Sequence, residues 1–398
     1  MFDELFGINP RIQYYPGYDT KGEYDGLDLS GIKAISFDSV DYEGKKTKVF
    51  AHIGYPENIT SPVPAVVLVP GGMCHPEDVW VKKWNNRGYA AIVIDASGFF
   101  PKMPFPHFRE GSKEVFIEQK LNCDFFEEGY TVGPKNSEMD DMNKPLCDQW
   151  MYHAVSALIL AHNILLNDEK IDSEKIGISG ISWGGVITSV AIGYDTRFAF
   201  AVPVYSSGYL GSGLSGICRQ FKAPGVQKWY AEKRFENVKM PVMWLCWNDD
   251  ACFSINSNSM SYLDTMSNND NTCLSMKHDM QHSHYHGYTP KESYWFADMV
   301  LGGKKIPSVK TEYENGFVNY SCSEKIKSAK LFYITERMTY CQRKKYGYEG
   351  TFMEQEWNII DLDTDVNVAK LPENVVGRYV EFTLENDIVL TTPYFEIQ

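Results

Sequence analysis

Residues 175–185, KIGISGISWGG, constrain this chain more than any other stretch. A β-branched run closes on Gly180-Ile181-Ser182-Trp183-Gly184, and a helix-forming segment of small residues, VITSVAIGY, follows at once. A G-x-S-x-G placed between strand and helix fits a sharp turn that lifts a serine hydroxyl above a sheet edge. Glycine on either side removes the side chains that would collide with the turn and with the neighbouring strand. The helix that follows supplies outward N–H groups and a positive dipole end, which suit a developing oxyanion. Ser182 is therefore the candidate nucleophile, and the backbone N–H of Trp183 the first candidate oxyanion donor. The competing reading is a glycine-rich strand-to-helix connection without chemistry.

The rest of the first 305 residues alternates in the way this turn requires. AVVLVPGG is a continuous apolar run ending at glycines, as expected of a strand buried on both faces. A polar helix over about 77–87 and the run YAAIVIDASGF complete a βαβ unit, which implies parallel pairing. Before it, 31–55 alternate as an antiparallel hairpin turning near Glu43 and Gly44, and residues 1–30 read as an irregular lead-in. QWMYHAVSALILAHNILLN has helical spacing. FAFAVPVYS, PVMWLCW and NTCLSMKHDM read as strands. Helical segments are expected at 226–238, at 255–266 and over PKESYWFADMVLGG. Residues 99–148 break this rhythm and read either as a lid or substrate-binding insertion or as a plain surface insertion; Phe99, Phe100, Phe105, Phe108, Phe125 and Phe126 would either wall a pocket or anchor the insert. From 306 to 398 the pattern changes to short alternating strands, the signature of a small all-β sandwich. Two domains follow, a catalytic α/β domain over 1–305 and the β domain over 306–398.

The chain carries a net charge of −14, which makes nucleic acid and anionic membrane surfaces poor partners, and neither is expected. It has nine cysteines, none in a C-x-x-C pair, which argues for reduced thiols over a disulfide framework or a zinc ribbon. The first residues, MFDELFGINPRIQYYPG, lack the basic start and apolar core of a secretory leader, and no apolar run reaches spanning length. A cytoplasmic location is the expectation, with secretion left open for a chain whose leader has been removed. Oligomerisation is left open too.

A serine needs a base, and the base needs an orienting carboxylate. In the chain order Ser, acid, base, the strand PVMWLCW is followed by Asn248-Asp249-Asp250, and the last strand by Gln281-His282-Ser283-His284-Tyr285-His286. Asp249 and Asp250 point in different directions, and strand position does not choose between them. His278, within its strand, is the weaker base. Three histidines at alternate positions would also suit a metal in an extended loop, but lack the helical spacing of zinc hydrolases. The second oxyanion donor is expected in Pro70-Gly71-Gly72-Met73, at Gly72 or Met73.

At these residues the chain resembles bacterial α/β-hydrolases of the acetyl-xylan-esterase and dienelactone-hydrolase type. The similarity runs over about 60–320 and rests on GYAAIVIDASG, IDSEKIGISGISWGG, RFAFAVPVYSSGYL and MPVMWLCWNDDACFSI. It implies an α/β-hydrolase fold, mostly parallel with helices on both faces. It places the acid on Asp250, and the base on His282 with His284 second. Pro70 stands where the family has a histidine before the oxyanion glycines, and Asp279 replaces an asparagine or glycine. The resemblance implies a serine esterase without metal or cofactor, acting on a small-molecule or saccharide ester. Two rivals are a peptidase or amidase using the same residues, and an inactive carbohydrate-binding or assembly protein whose β domain uses Trp357, Tyr379 and Phe382.

Overall fold

The computed structural model describes residues 1–72, 76–98, 129–213, 216–336, 339–343, 350–354 and 356–396. The chain forms two compact units. The first comprises Met1–Ala201 with Ala223–Trp229; the second comprises Val202–Lys222 with Tyr230–Gln398.

In the first unit the expected hairpin is present. Strands β1 (Lys33–Tyr42) and β2 (Lys45–Gly54) pair antiparallel, and the two turn residues, Glu43 and Gly44, both take positive φ. β3 (Val63–Val69), helix α1 (Asp78–Asn85) and β4 (Ala90–Ile94) form the βαβ unit, with β3 and β4 parallel. All five residues of β4 are buried, which is why alternation is absent there. Helix α2 (Trp150–Leu166) is buried along nearly its whole length, and β5 (Ile171–Ile181) pairs parallel with β3. β5 leads into helix α3 (Trp183–Ala191). The strand order in this unit is β1-β2-β4-β3-β5. The lead-in is more ordered than expected: Ile12–Tyr14 adds a strand to β1, and Glu23–Tyr24 pairs with Leu27–Asp28. Of the insertion 99–148, residues 99–128, with all six phenylalanines, lie outside the described residues.

Strand β6 (Ala201–Val204) crosses the division between the units. In the second unit it pairs parallel with β7 (Met243–Trp247), and β7 with β8 (Cys273–Lys277). Helix α4 spans Ile255–Met266, as the spacing predicts, and is capped by the Ser254 side chain. Residues 226–238 are 3₁₀ turns rather than one helix. A short helix α5 (His284–Tyr288) and α6 (Lys291–Leu301) follow β8.

Beyond residue 306 every described strand pairing is antiparallel. β9 (Val309–Glu314), β10 (Phe317–Cys322) and Val368–Lys370 make one sheet. β11 (Ile326–Ile334), Asn358–Leu362, β12 (Gly377–Leu384), Val389–Thr391 and Phe395–Glu396 make another. Val318 and Tyr320 of β10 share one core with Ala329 and Leu331 of β11 and with Val380 and Phe382 of β12, so the two sheets sandwich their apolar faces.

Candidate active site

The serine turn is built by sterics. The last six residues of β5 are buried, and Ser182 follows with φ 57° and ψ −119°, a conformation side chains rarely adopt. α3 starts on the next residue, Trp183. A Cβ on Gly180 would overlap the Gly184 carbonyl and the Thr188 hydroxyl, and one on Gly184 would overlap the carbonyl oxygens of Val69 and Pro70. Both glycines are thus required by backbone atoms that have nowhere to go. The Ser182 side chain does not serve as the helix cap, although its carbonyl accepts the first helical bond, from Val186 N–H at 2.9 Å.

The loop after β3 lies against this turn. A Cβ on Gly72 would overlap the Trp183 indole, so Gly72 and Trp183, both predicted oxyanion donors, are neighbours. Trp183 packs edge-on against Trp150, with ring centres 5.1 Å apart, and Trp150 Nε1 donates to the Ala96 carbonyl at 2.6 Å. Trp183 N–H belongs to the first turn of α3, where N–H groups face out of the helix end. Met73, the other predicted donor, lies outside the described residues.

In the second unit the loops after β7 and β8 bring Asp250 and His282 together. His282 Nδ1 bonds Asp250 Oδ2 at 2.7 Å, and the carboxylate is fully buried. Asp250 Oδ1 accepts N–H bonds from Cys252 at 2.7 Å and Phe253 at 3.3 Å. The buried carboxylate thus has its charge met on both oxygens, and the imidazole has its ring orientation fixed. The ring is also held by aromatic faces: Tyr205 stacks on one side at 4.6 Å, and Phe253 lies nearly parallel at 6.0 Å. Tyr205 takes a positive φ and donates its hydroxyl to the Gln281 carbonyl, tying the base loop to the end of β6. Burial, reinforced by the Asp250 charge, pushes the Tyr205 phenol well above its ordinary range, so it stays a neutral donor.

A mostly parallel sheet with flanking helices, a strained serine at a strand-to-helix turn and a bonded Asp–His pair on later loops, in the order Ser, Asp, His, decide the fold class. The chain has the α/β-hydrolase fold. Residues 144–300 match the model of the prolyl oligopeptidase family. Among solved structures, the chain is similar to the acylaminoacyl peptidase of Pyrococcus horikoshii, at 16% identity and a TM-score of 0.47, covering 71% of this chain and 42% of that one. It thus spans less than half of that peptidase. It is also similar to acetyl xylan esterase 1 of Thermoanaerobacterium sp. JW/SL YS485, at 13% identity and a TM-score of 0.49, covering 75% of this chain and 93% of that one. An acetyl xylan esterase of Paenibacillus sp. R4 gives 14% identity and a TM-score of 0.48, with 75% and 91% covered. No curated protein matches the sequence.

The other predicted residues of the hydrolase have different surroundings. Asp249 Oδ1 accepts from Trp357 Nε1 at 3.2 Å, whereas the imidazole is bonded to Asp250. His284 is the first residue of α5, and His286 Nδ1 bonds the Ser283 hydroxyl at 2.8 Å within the cap of that helix, so the expected extended histidine loop is a helical turn. His278 lies just past β8 and contacts the Asn248 amide at 3.2 Å. Of the rival sugar platform, Tyr379 and Phe382 are fully buried. Asp250, Cys252 and His282 could present metal-ligand atoms within 4.8 Å of one another. The pair's Nδ1 and Oδ2 are, however, bonded to each other, and burial, then the Asp250 charge, pushes the Cys252 thiol up to about 12. Tyr205 and Phe253, the ring's two walls, carried no sequence signal. No helix among the described residues is long and apolar enough to cross a membrane.

Proposed function

We propose that this α/β-hydrolase is a serine hydrolase that cleaves a carboxylic ester through an acyl-enzyme on Ser182. Its main support is the Ser182 backbone, held at φ 57° between two glycines that tolerate no side chain. His282 takes the Ser182 proton as the hydroxyl oxygen attacks the carbonyl carbon. Asp250, already bonded to Nδ1, holds the tautomer that leaves Nε2 as acceptor and stabilises the imidazolium that forms. The N–H groups of Trp183 and of Gly72 or Met73 receive the oxyanion, the contribution that usually dominates such reactions. The imidazolium returns its proton to the departing alcohol, and water repeats the sequence to release the acid. The reading uses no metal or cofactor. We place the reaction in a reducing compartment such as the cytoplasm, because the nine cysteines form no C-x-x-C pair and Cys147, Cys246, Cys273 and Cys322 are free.

Intact-mass labelling with a fluorophosphonate tests this directly. One adduct forms on wild type, maps to Ser182 and is absent from Ser182→Ala, whose kcat falls by about 10⁴-fold or more. A folded wild type that takes no adduct overturns the reading. The family match over 144–300 favours a second reading, cleavage of a peptide or amide by the same residues. The ratio of kcat/KM on a p-nitrophenyl acyl ester to that on an aminoacyl p-nitroanilide decides between them. The finer ester reading, an acetyl or other acyl group carried on a carbohydrate, is checked by acetate release from acetylated xylan.

A further inference from the structure

The loop that carries Asp250 is held from behind by the C-terminal antiparallel region. Asn248, Asp249 and Asp250 are consecutive, and each side chain has its own partner. Asn248 Nδ2 donates to the Tyr379 hydroxyl at 2.9 Å, Asp249 Oδ1 accepts from Trp357 Nε1 at 3.2 Å, and Asp250 receives His282. Tyr379 and Trp357 are themselves fixed by aromatic packing. Their rings meet edge-on at 5.3 Å, Phe332 stacks on Tyr379 at 4.9 Å, and Tyr394 closes on Trp357 at 6.1 Å. The root of the base loop rests on the same block: His278 contacts both the Asn248 amide and, at 5.5 Å, the Phe332 ring. The aromatic block thus presents two polar atoms, both aimed at the residues that precede the acid. Tyr379 is fully buried, and burial pushes its phenol far above the ordinary range, so it is a permanent neutral partner for the Asn248 amide.

We infer that Trp357 and Tyr379 are positioning residues for the acid–base pair, and that the antiparallel region orients the Asp250–His282 bond. This rests on the serine-hydrolase reading for its catalytic meaning. The physical case is geometric. A carboxylate orients an imidazole best when its own loop cannot turn, and backbone bonds alone hold the Asp250 side of this loop. The bond Asn248 donates to Tyr379 and the bond Asp249 accepts from Trp357 tie its other two side chains to rigid aromatic groups.

The test compares Trp357→Phe, Tyr379→Phe and the double variant with wild type by two readouts. One is the fluorophosphonate labelling rate. The other is the downfield proton resonance of His282 Nδ1–H, which reports its 2.7 Å bond to Asp250 and needs no turnover. Tyr379→Phe keeps its ring, and Trp357→Phe keeps a smaller aromatic ring in its place, so each removes the polar atom with limited loss of packing. We expect the labelling rate to fall about 10-fold for each, more for the double, with the resonance broadened or moved. Asp249→Ala should behave like Trp357→Phe, and Asp249→Asn, which keeps a carbonyl oxygen for the indole, should restore most of the loss. Unchanged rate and resonance in folded variants overturn the inference, even if their thermal stability drops. Equal loss in Asp249→Asn and Asp249→Ala also overturns it, because the charge and not the indole contact would then matter. Asp250→Asn is the control that separates the two levels. If wild type is never labelled, the serine reading fails, while the resonance still decides whether the aromatic block orients the pair.

Discussion

Ser182 stores backbone strain, and the strain is separable from the chemistry. Its φ of 57° costs a residue with a side chain about 1–3 kcal/mol, whereas glycine adopts it freely. Glycine also loses about 0.5–1 kcal/mol more chain entropy on folding than alanine. The strain is the larger quantity, so Ser182→Gly should melt above Ser182→Ala although the proposed mechanism makes both inactive. Calorimetry of the pair checks this; a lower midpoint for the glycine variant would show that the turn is unstrained. The glycines of this turn were legible in the sequence because a strand-to-helix turn leaves no room for alternatives. The choice between Asp249 and Asp250 was not, because the contact that engages Asp249 comes from Trp357, 108 positions along the chain. The orientation of adjacent side chains on a loop is a tertiary fact.

Whole elements were legible where burial imposes a pattern, and less so where a side chain makes the decision. β4 reads as a strand because every residue is apolar and buried, and α4 begins and ends where its spacing predicts. The histidine segment reads as an extended loop from its alternation, yet Ser283 caps it into α5 by accepting the His286 N–H at 3.1 Å. The 3₁₀ turns at 226–238 likewise miss the expected helix, though their apolar positions do face inward. α6 carries an element-scale interaction that sequence does not reveal. Glu292 is completely buried and receives Lys277 Nζ of β8 at 2.6 Å and the Val389 N–H at 3.2 Å. Glu292→Ala would leave a cation and a backbone donor near the core without partners, at a cost of about 3 kcal/mol. Glu292→Gln, which still accepts both bonds, should lose less. Denaturant midpoints of the two variants test this, and equal losses would mean that volume and not hydrogen bonding is what Glu292 contributes.

At the scale of the molecule, strand–helix alternation made the α/β class legible, since each buried strand announces itself and each helix separates two of them. Where the chain divides into compact units was less legible. The change of pattern at 305/306 marks where every described pairing becomes antiparallel, and we retain it as the proposed domain boundary, whereas the contacts of the second unit begin at Val202. Pattern follows local pairing, but compactness depends on what packs together later. The first unit has its own electrostatic fastening. Asp195, fully buried, takes His162 Nδ1 at 2.9 Å and both Arg197 Nε and Nη2, at 2.8 and 2.7 Å. Arg197 continues to Asn163 Oδ1 and the Phe6 carbonyl, so the cluster fastens the N-terminal segment to α2. Burial alone would raise the Asp195 carboxyl, but the Arg197 and His162 bonds outweigh it and hold it at about 2, below the ordinary 3.8. A carboxyl depressed on folding stabilises the fold fully above its ordinary value and loses that contribution as pH falls through the folded one. About 2 kcal/mol of stability in the first unit should therefore disappear between roughly pH 4 and pH 2. Asp195→Asn should be the weaker protein at pH 6, with the gap closing over that interval. Hydrogen exchange of the α2 amides follows the unit itself: their protection should fall steeply with acid in wild type and shallowly in the variant, and parallel slopes would assign acid sensitivity to other carboxylates.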